Sequence, residues 1–121
     1  MRVSRSFVWG FERSEKIISV IEMYERNLVR ASVPKVRMNP NRTFAYINST
    51  EILAHAHFLC DGAKKLAVDP KRQRMAGSHL TAIQMCLSFA GWYTLKELQD
   101  HNKNRSWYCE RFLYYNPKVF N

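Results

Sequence analysis

Apolar residues recur along this chain at the spacing of helices. Ile17, Ile21, Tyr24 and Leu28 follow at steps of four, three and four, which sets them on one helical stripe. Ile18 and Val29 widen it. Ser14 reads as the N-cap of this first helix, which runs to about Arg30 before Pro34 ends it. A second stripe joins Ile52, Ala56, Leu59, Ala63 and Leu66. Asn48 and Glu51 stand at its head with the spacing of a capping box. Gly62 is its weak point, costing about 1 kcal/mol against alanine. Asp69-Pro70 predicts a restart, with aspartate as N-cap and proline as first helical residue. The third helix then carries Met75, His79, Ile83, Cys86, Leu87 and Ala90, and Gly91 suits its C-terminal cap. Thr94 and Glu97 form the clearest capping box, with Tyr93 and Leu98 placed as a hydrophobic staple. A short fourth helix to about Asn102 follows, so helices three and four predict an αα-hairpin around Gly91-Trp92-Tyr93.

Outside these stripes the pattern is irregular. Val3, Phe7, Val8, Trp9 and Phe11 cluster near the N-terminus and fit either a strand or an arm packed on the body. Residues 34–47 read as a connector rich in breakers, with Lys35, Arg37 and Arg42, and Thr43-Phe44-Ala45-Tyr46-Ile47 alternates weakly enough for a short extended piece. From Lys103 to Asn121 aromatic and cationic residues interleave. The expected fold is therefore all-α, with about four helices and an αα-hairpin core. It is one domain, made of an N-terminal arm (1–13), a helical body (14–102) and a basic aromatic tail (103–121), the two arms being irregular.

Composition changes this picture in two ways. With 46% hydrophobic residues in 121, the chain has enough apolar material for one core, which argues against disorder of the whole. The net charge of +9 points to an anionic partner: nucleic acid, an anionic membrane surface or an acidic patch on a protein. It argues against a protein that works by imitating DNA, which needs a negative surface. The charge is unevenly placed. Residues 1–47 carry +5, residues 48–102 only +1 and residues 103–121 +3, so the excess belongs to the flanks. Lys71, Arg72 and Arg74 are the local exception, set in the first turns of helix three, where cations oppose the helix dipole. They read either as a binding patch or as a solvated face.

Three cysteines, Cys60, Cys86 and Cys109, are an odd number without close pairing, as expected of a reducing compartment and a cytoplasmic location. No apolar stretch approaches the ~20 residues of a membrane span. Glu12 and Arg13 cut short the apolar run that a signal peptide would need.

Candidate chemistry is sparse. His55 and His57 lie about 200° apart on a helix and cannot share a metal ion. His57, Cys60 and Asp61 share a face, but a structural zinc site takes four ligands, so a histidine and a small thiol at a helix interface fit better. Cys60 and Cys86 fall on apolar faces, where a thiol is inert. No phosphate loop, serine elbow or paired carboxylates are present. The expectation is a non-enzymatic protein without cofactor or metal. In the tail, Lys103, Arg105, Trp107, Tyr108, Arg111 and Tyr115 suit three roles: stacking bases and tracking phosphates, forming a protein–protein hot spot, or wrapping back over the core.

Residues 55 to 102 resemble a module of small uncharacterised accessory proteins of tailed bacteriophages. The likeness rests on His55-Ala56-His57-Phe58-Leu59, Gly62-Ala63, His79-Leu80, Ile83-Gln84, the run Gly91-Trp92-Tyr93-Thr94-Leu95-Lys96-Glu97-Leu98 and His101-Asn102. It implies a context and no reaction: synthesis in the bacterial cytoplasm during infection, and binding to a host machine such as a nuclease, helicase, recombination or defence complex. The leading expectation is thus a phage-encoded modulator or inhibitor that binds a host protein through the tail residues, with Lys71, Arg72 and Arg74 second. Direct DNA or RNA binding through the same residues is the alternative.

Overall fold

The computed structural model describes residues 2–103, with side chains from residue 14 onward. Four helices make up the described chain: α1 (Arg2–Arg30), α2 (Ser49–Ala67), α3 (Gln73–Phe89) and α4 (Leu95–Lys103), with a single 3-10 turn at Phe44–Tyr46. No strand occurs among the described residues. The all-α expectation stands, while the irregular arm expected over residues 1–13 is corrected: helix α1 already begins at Arg2. The basic aromatic tail lies outside the described residues except for Lys103.

Ser14 shows how the first boundary was misread. Its side chain is buried and donates to the carbonyl of Ala67, the last residue of α2. Serine does satisfy an orphan helix-end group here, but at the C-terminus of a different helix. The other end of α1 closes as a Schellman motif, with Val33 N bonded to Leu28 O and Ser32 N to Val29 O, each at 3.0 Å. Ser32 holds φ at 59° there, a conformation glycine adopts at less cost. α3 ends in the same way around Gly91, at φ 84°, as the sequence predicts.

The core is one cluster. Ile17, Val20, Ile21, Tyr24 and Leu28 of α1 are all buried. On α2 the buried stripe is Ile52, Ala56, Cys60, Ala63 and Ala67, so Leu59 and Leu66 sit at its half-buried edge. These small side chains let α2 approach closely the two helices it packs against, α1 and α3. On α3 the stripe runs through Ala76, Leu80, Ile83 and Leu87. Met75 and His79, expected inside, lie one position off it, and Met75 is 49% exposed. The principal hairpin is α2–α3, joined by the turn at 68–72, rather than α3–α4.

Of the predicted N-caps, those at Asn48 and Thr94 form. Asn48 Oδ1 accepts from Glu51 N at 2.9 Å. Thr94 and Glu97 close their box with bonds of 2.8 and 3.1 Å. The Asp69-Pro70 restart is shifted. Asp69 O accepts from Arg72 N at 2.9 Å and Asp69 Oδ1 from Lys71 N at 3.0 Å, so these residues build a turn and α3 starts only at Gln73. Residues 43–47, expected to be extended, instead close a 3-10 turn, with Tyr46 N bonded to Thr43 O and Ile47 N to Phe44 O.

Candidate interaction surfaces

The hairpin's turn carries the first set of predicted residues. Lys71 and Arg72 lie in the turn itself, ahead of the helix in which they were expected, and Arg74 follows in the first turn of α3. All three are exposed. Arg72 reaches back to Asp69 at 3.7 Å. Lys71 and Arg74 have no acidic partner among the described residues, whereas Lys35, Lys64 and Lys96 are each matched by a carboxylate.

Lys103 belongs elsewhere. It ends α4 directly after Asn102, whose side-chain amide exchanges hydrogen bonds of 2.9 and 3.3 Å with that of Gln84. Gln84 lies ten residues beyond Arg74, about 15 Å along the helix axis. The structure therefore does not bring Lys103 to the basic turn. Arg105, Trp107, Tyr108, Arg111 and Tyr115 lie outside the described residues.

α4 is held by a buried polar network. Gln84 Nε2 donates to the Tyr24 hydroxyl oxygen at 3.0 Å and to Asn102 Oδ1 at 2.9 Å, which uses both of its hydrogens. The Tyr24 hydroxyl is 2.6 Å from His101 Nδ1, and Asn27 Nδ2 donates to Tyr93 Oη at 2.9 Å. The Tyr24, Tyr93 and His101 rings pack together, Tyr93 meeting His101 edge-on at 4.9 Å. Burial pushes His101 down to about 4, against a smaller opposing pull from Glu97 and Asp100. The ring is thus neutral near pH 7, and we assign the Tyr24 hydroxyl as donor to Nδ1. This network fixes tertiary structure rather than presenting reactive groups to solvent.

The two histidines of α2 also serve the scaffold. His57 is buried, and its Nδ1 donates to the Val33 carbonyl at 2.8 Å. His55 Nδ1 accepts from Met38 N at 3.2 Å, and its pKa is lowered by partial burial and by nearby Arg37. Beside His57, an open groove of about 710 Å³ runs past Glu22, Glu25, Arg26, Arg30 and Lys35, with charges of both signs along it. Among the described residues no three metal-ligating side chains converge. Burial raises Cys60 to about 12 and Cys86 to about 11, which keeps both thiols protonated and unreactive.

A further exposed surface lies on the connector. Phe44 stacks on Phe89, the last residue of α3, at 5.4 Å and 23°, although the two rings are 40% and 63% exposed. Tyr46 beside them is 74% exposed. Arg42 Nη2 donates to the Tyr46 carbonyl at 2.6 Å and has no carboxylate partner among the described residues. Further along, Val36 N bonds Ala54 O, which lays the connector on α2, with exposed Val36 next to Arg37 in the chain and exposed Phe58 stacked on His55 at 6.0 Å. The available signal was an Arg-Thr-Phe-Ala-Tyr run in a segment otherwise full of breakers. Phe89, 45 residues beyond Phe44, gave no hint of belonging to it.

Among the described residues no helix is long and apolar enough to cross a membrane. Compared with protein-family models, with curated proteins and with solved structures, the chain matches none.

Proposed function

We propose that this chain is a non-enzymatic binding protein that docks on a protein partner and alters its action. In the phage setting implied by residues 55 to 102, the partner is a host protein of the bacterial cytoplasm that handles DNA or RNA. A nuclease or helicase, a recombination complex or a defence complex fits that description. The observation that carries this reading is where the unmatched groups lie. Tyr24, Gln84 and His101 inside the bundle are bonded to one another, while exposed aromatic rings such as Phe44, Tyr46 and Phe89 and the cation Arg42 stand on its surface. Rings and guanidinium groups dominate the energetics of protein interfaces. The proposed contacts are Lys103, Arg105, Trp107, Tyr108, Arg111 and Tyr115, with Lys71, Arg72 and Arg74 second.

Affinity capture with the full chain from bacterial lysate tests the reading. A single host protein recovered in stoichiometric amount is the expected result, and recovery of none overturns it. The surplus of cations favours a second reading, direct binding of DNA or RNA. Phosphate contacts release counterions, so that affinity would fall steeply with salt. An interface anchored by aromatic rings loses much less over the same range.

A further inference from the structure

We infer that the connector face formed by Phe44, Tyr46 and Phe89 with Arg42, with Arg37 further along the same connector, docks an acidic segment of the partner protein that carries apolar side chains between its carboxylates. This rests on the reading above that the chain binds a protein, and adds the surface and the chemistry of what it receives.

Three observations lead there. First, large rings from two separate elements are gathered at the surface instead of being buried in the core. Phe44 comes from the connector and Phe89 from the end of α3, and they stack at 5.4 Å while 40% and 63% exposed. Second, the face is preformed. The 3-10 turn is closed by its own backbone bonds, and the Arg42 guanidinium is pinned to the Tyr46 carbonyl at 2.6 Å. Little freedom remains to be lost on binding, which favours affinity. Third, its charge awaits a complement. Lys35, at the start of the same connector, is matched by Asp61 at 3.0 Å. Arg37 and Arg42 have no carboxylate among the described residues.

The same geometry speaks against a nucleic-acid strand on this face. Two phenylalanine rings stacked on each other each spend one face on the other, which leaves flat bases at most one outer face per ring to stack on.

The test uses the full chain with a photoreactive benzoylphenylalanine placed singly at Tyr46 or Phe89, and at Trp107 and Lys96 for comparison. Each protein is irradiated in bacterial lysate and the captured segment is sequenced. The expected result is capture from 46 and 89 of one protein, through a stretch rich in Asp and Glu with apolar residues between them. Arg37→Glu combined with Arg42→Glu should lower that capture at least tenfold, with the helical melting curve unchanged. Phe89→Ala, at an exposed position, should lower it as well and guards against a folding effect of the double variant. Capture from position 107 alone overturns the connector face while leaving protein binding intact. Capture of a basic segment or of nucleic acid from 46 and 89 overturns the proposed chemistry. Silence at 46 and 89 overturns the connector face, and silence at every position together with an empty affinity capture overturns protein binding itself.

Discussion

Tyr24 stands at the centre of the buried polar groups, receiving the Gln84 amide at 3.0 Å and meeting His101 at 2.6 Å. Removing its hydroxyl would leave two buried partners short of a hydrogen bond while changing the packing little. Tyr24→Phe is therefore expected to cost about 2 kcal/mol, measurable as a lower midpoint in urea unfolding with an unchanged slope. His101 gives the molecule a pH dependence. In the unfolded chain it titrates near 6.5, and in the fold at about 4, because burial disfavours the imidazolium. Between these values the unfolded state binds the proton that the folded state refuses. Stability is therefore full above about pH 6.5 and falls as pH drops towards 4, by up to about 1.4 kcal/mol per unit. Thermal melts across that window should show the fall, and His101→Gln should flatten it. Half-buried His55 is shifted in the same direction and leaves a residual slope.

At the scale of elements, the helices are bounded by local chemistry and placed by packing. The Thr94–Glu97 box was legible because both partners lie within one turn of each other. The start of α1 was not legible, because Ser14 serves the end of α2, 53 residues away. The α2 stripe was legible at Ile52, Ala56 and Ala63 but missed by one residue at Leu59 and Leu66, as was the α3 stripe at Met75 and His79. Leu59 and Met75 have core-type side chains, but the close approach of α2 and α3 assigns the interior to Cys60 and Ala76. Gly62 lies on the exposed side of α2, with open space where a Cβ would stand. Gly62→Ala should therefore stabilise the protein by about 1 kcal/mol, through helix propensity and a less flexible unfolded chain. A melting point that does not rise would contradict this reading of α2.

Across the whole molecule, the working surfaces lie far apart. The basic turn at 71–74 and the ring pair at Phe89 stand at opposite ends of the α2–α3 hairpin. Fifteen residues of α3 separate Arg74 from Phe89, about 22 Å of helix rise. This separation makes their contributions distinguishable. Replacing both Lys71 and Arg74 by glutamate should leave the melt within about 0.5 kcal/mol of the parent, since both are exposed and neither is ion-paired among the described residues. If the basic turn meets an anionic partner, the same double variant should slow association and weaken its salt dependence, as read by surface plasmon resonance at two ionic strengths.

The sequence by itself determined the helical class, the α2 and α4 caps, the Gly91 terminus and the uneven spread of charge. Each depends on periodicity, on residues a few positions apart, or on simple counting. Only the tertiary structure decided that Ser14 caps another helix, that Tyr24, Gln84 and His101 meet in one network, and that Phe44 and Phe89 share a surface. Those pairings join residues 45 to 77 positions apart, and the cost of closing such loops is offset only by the packing of the whole core. No local pattern along the chain records that packing.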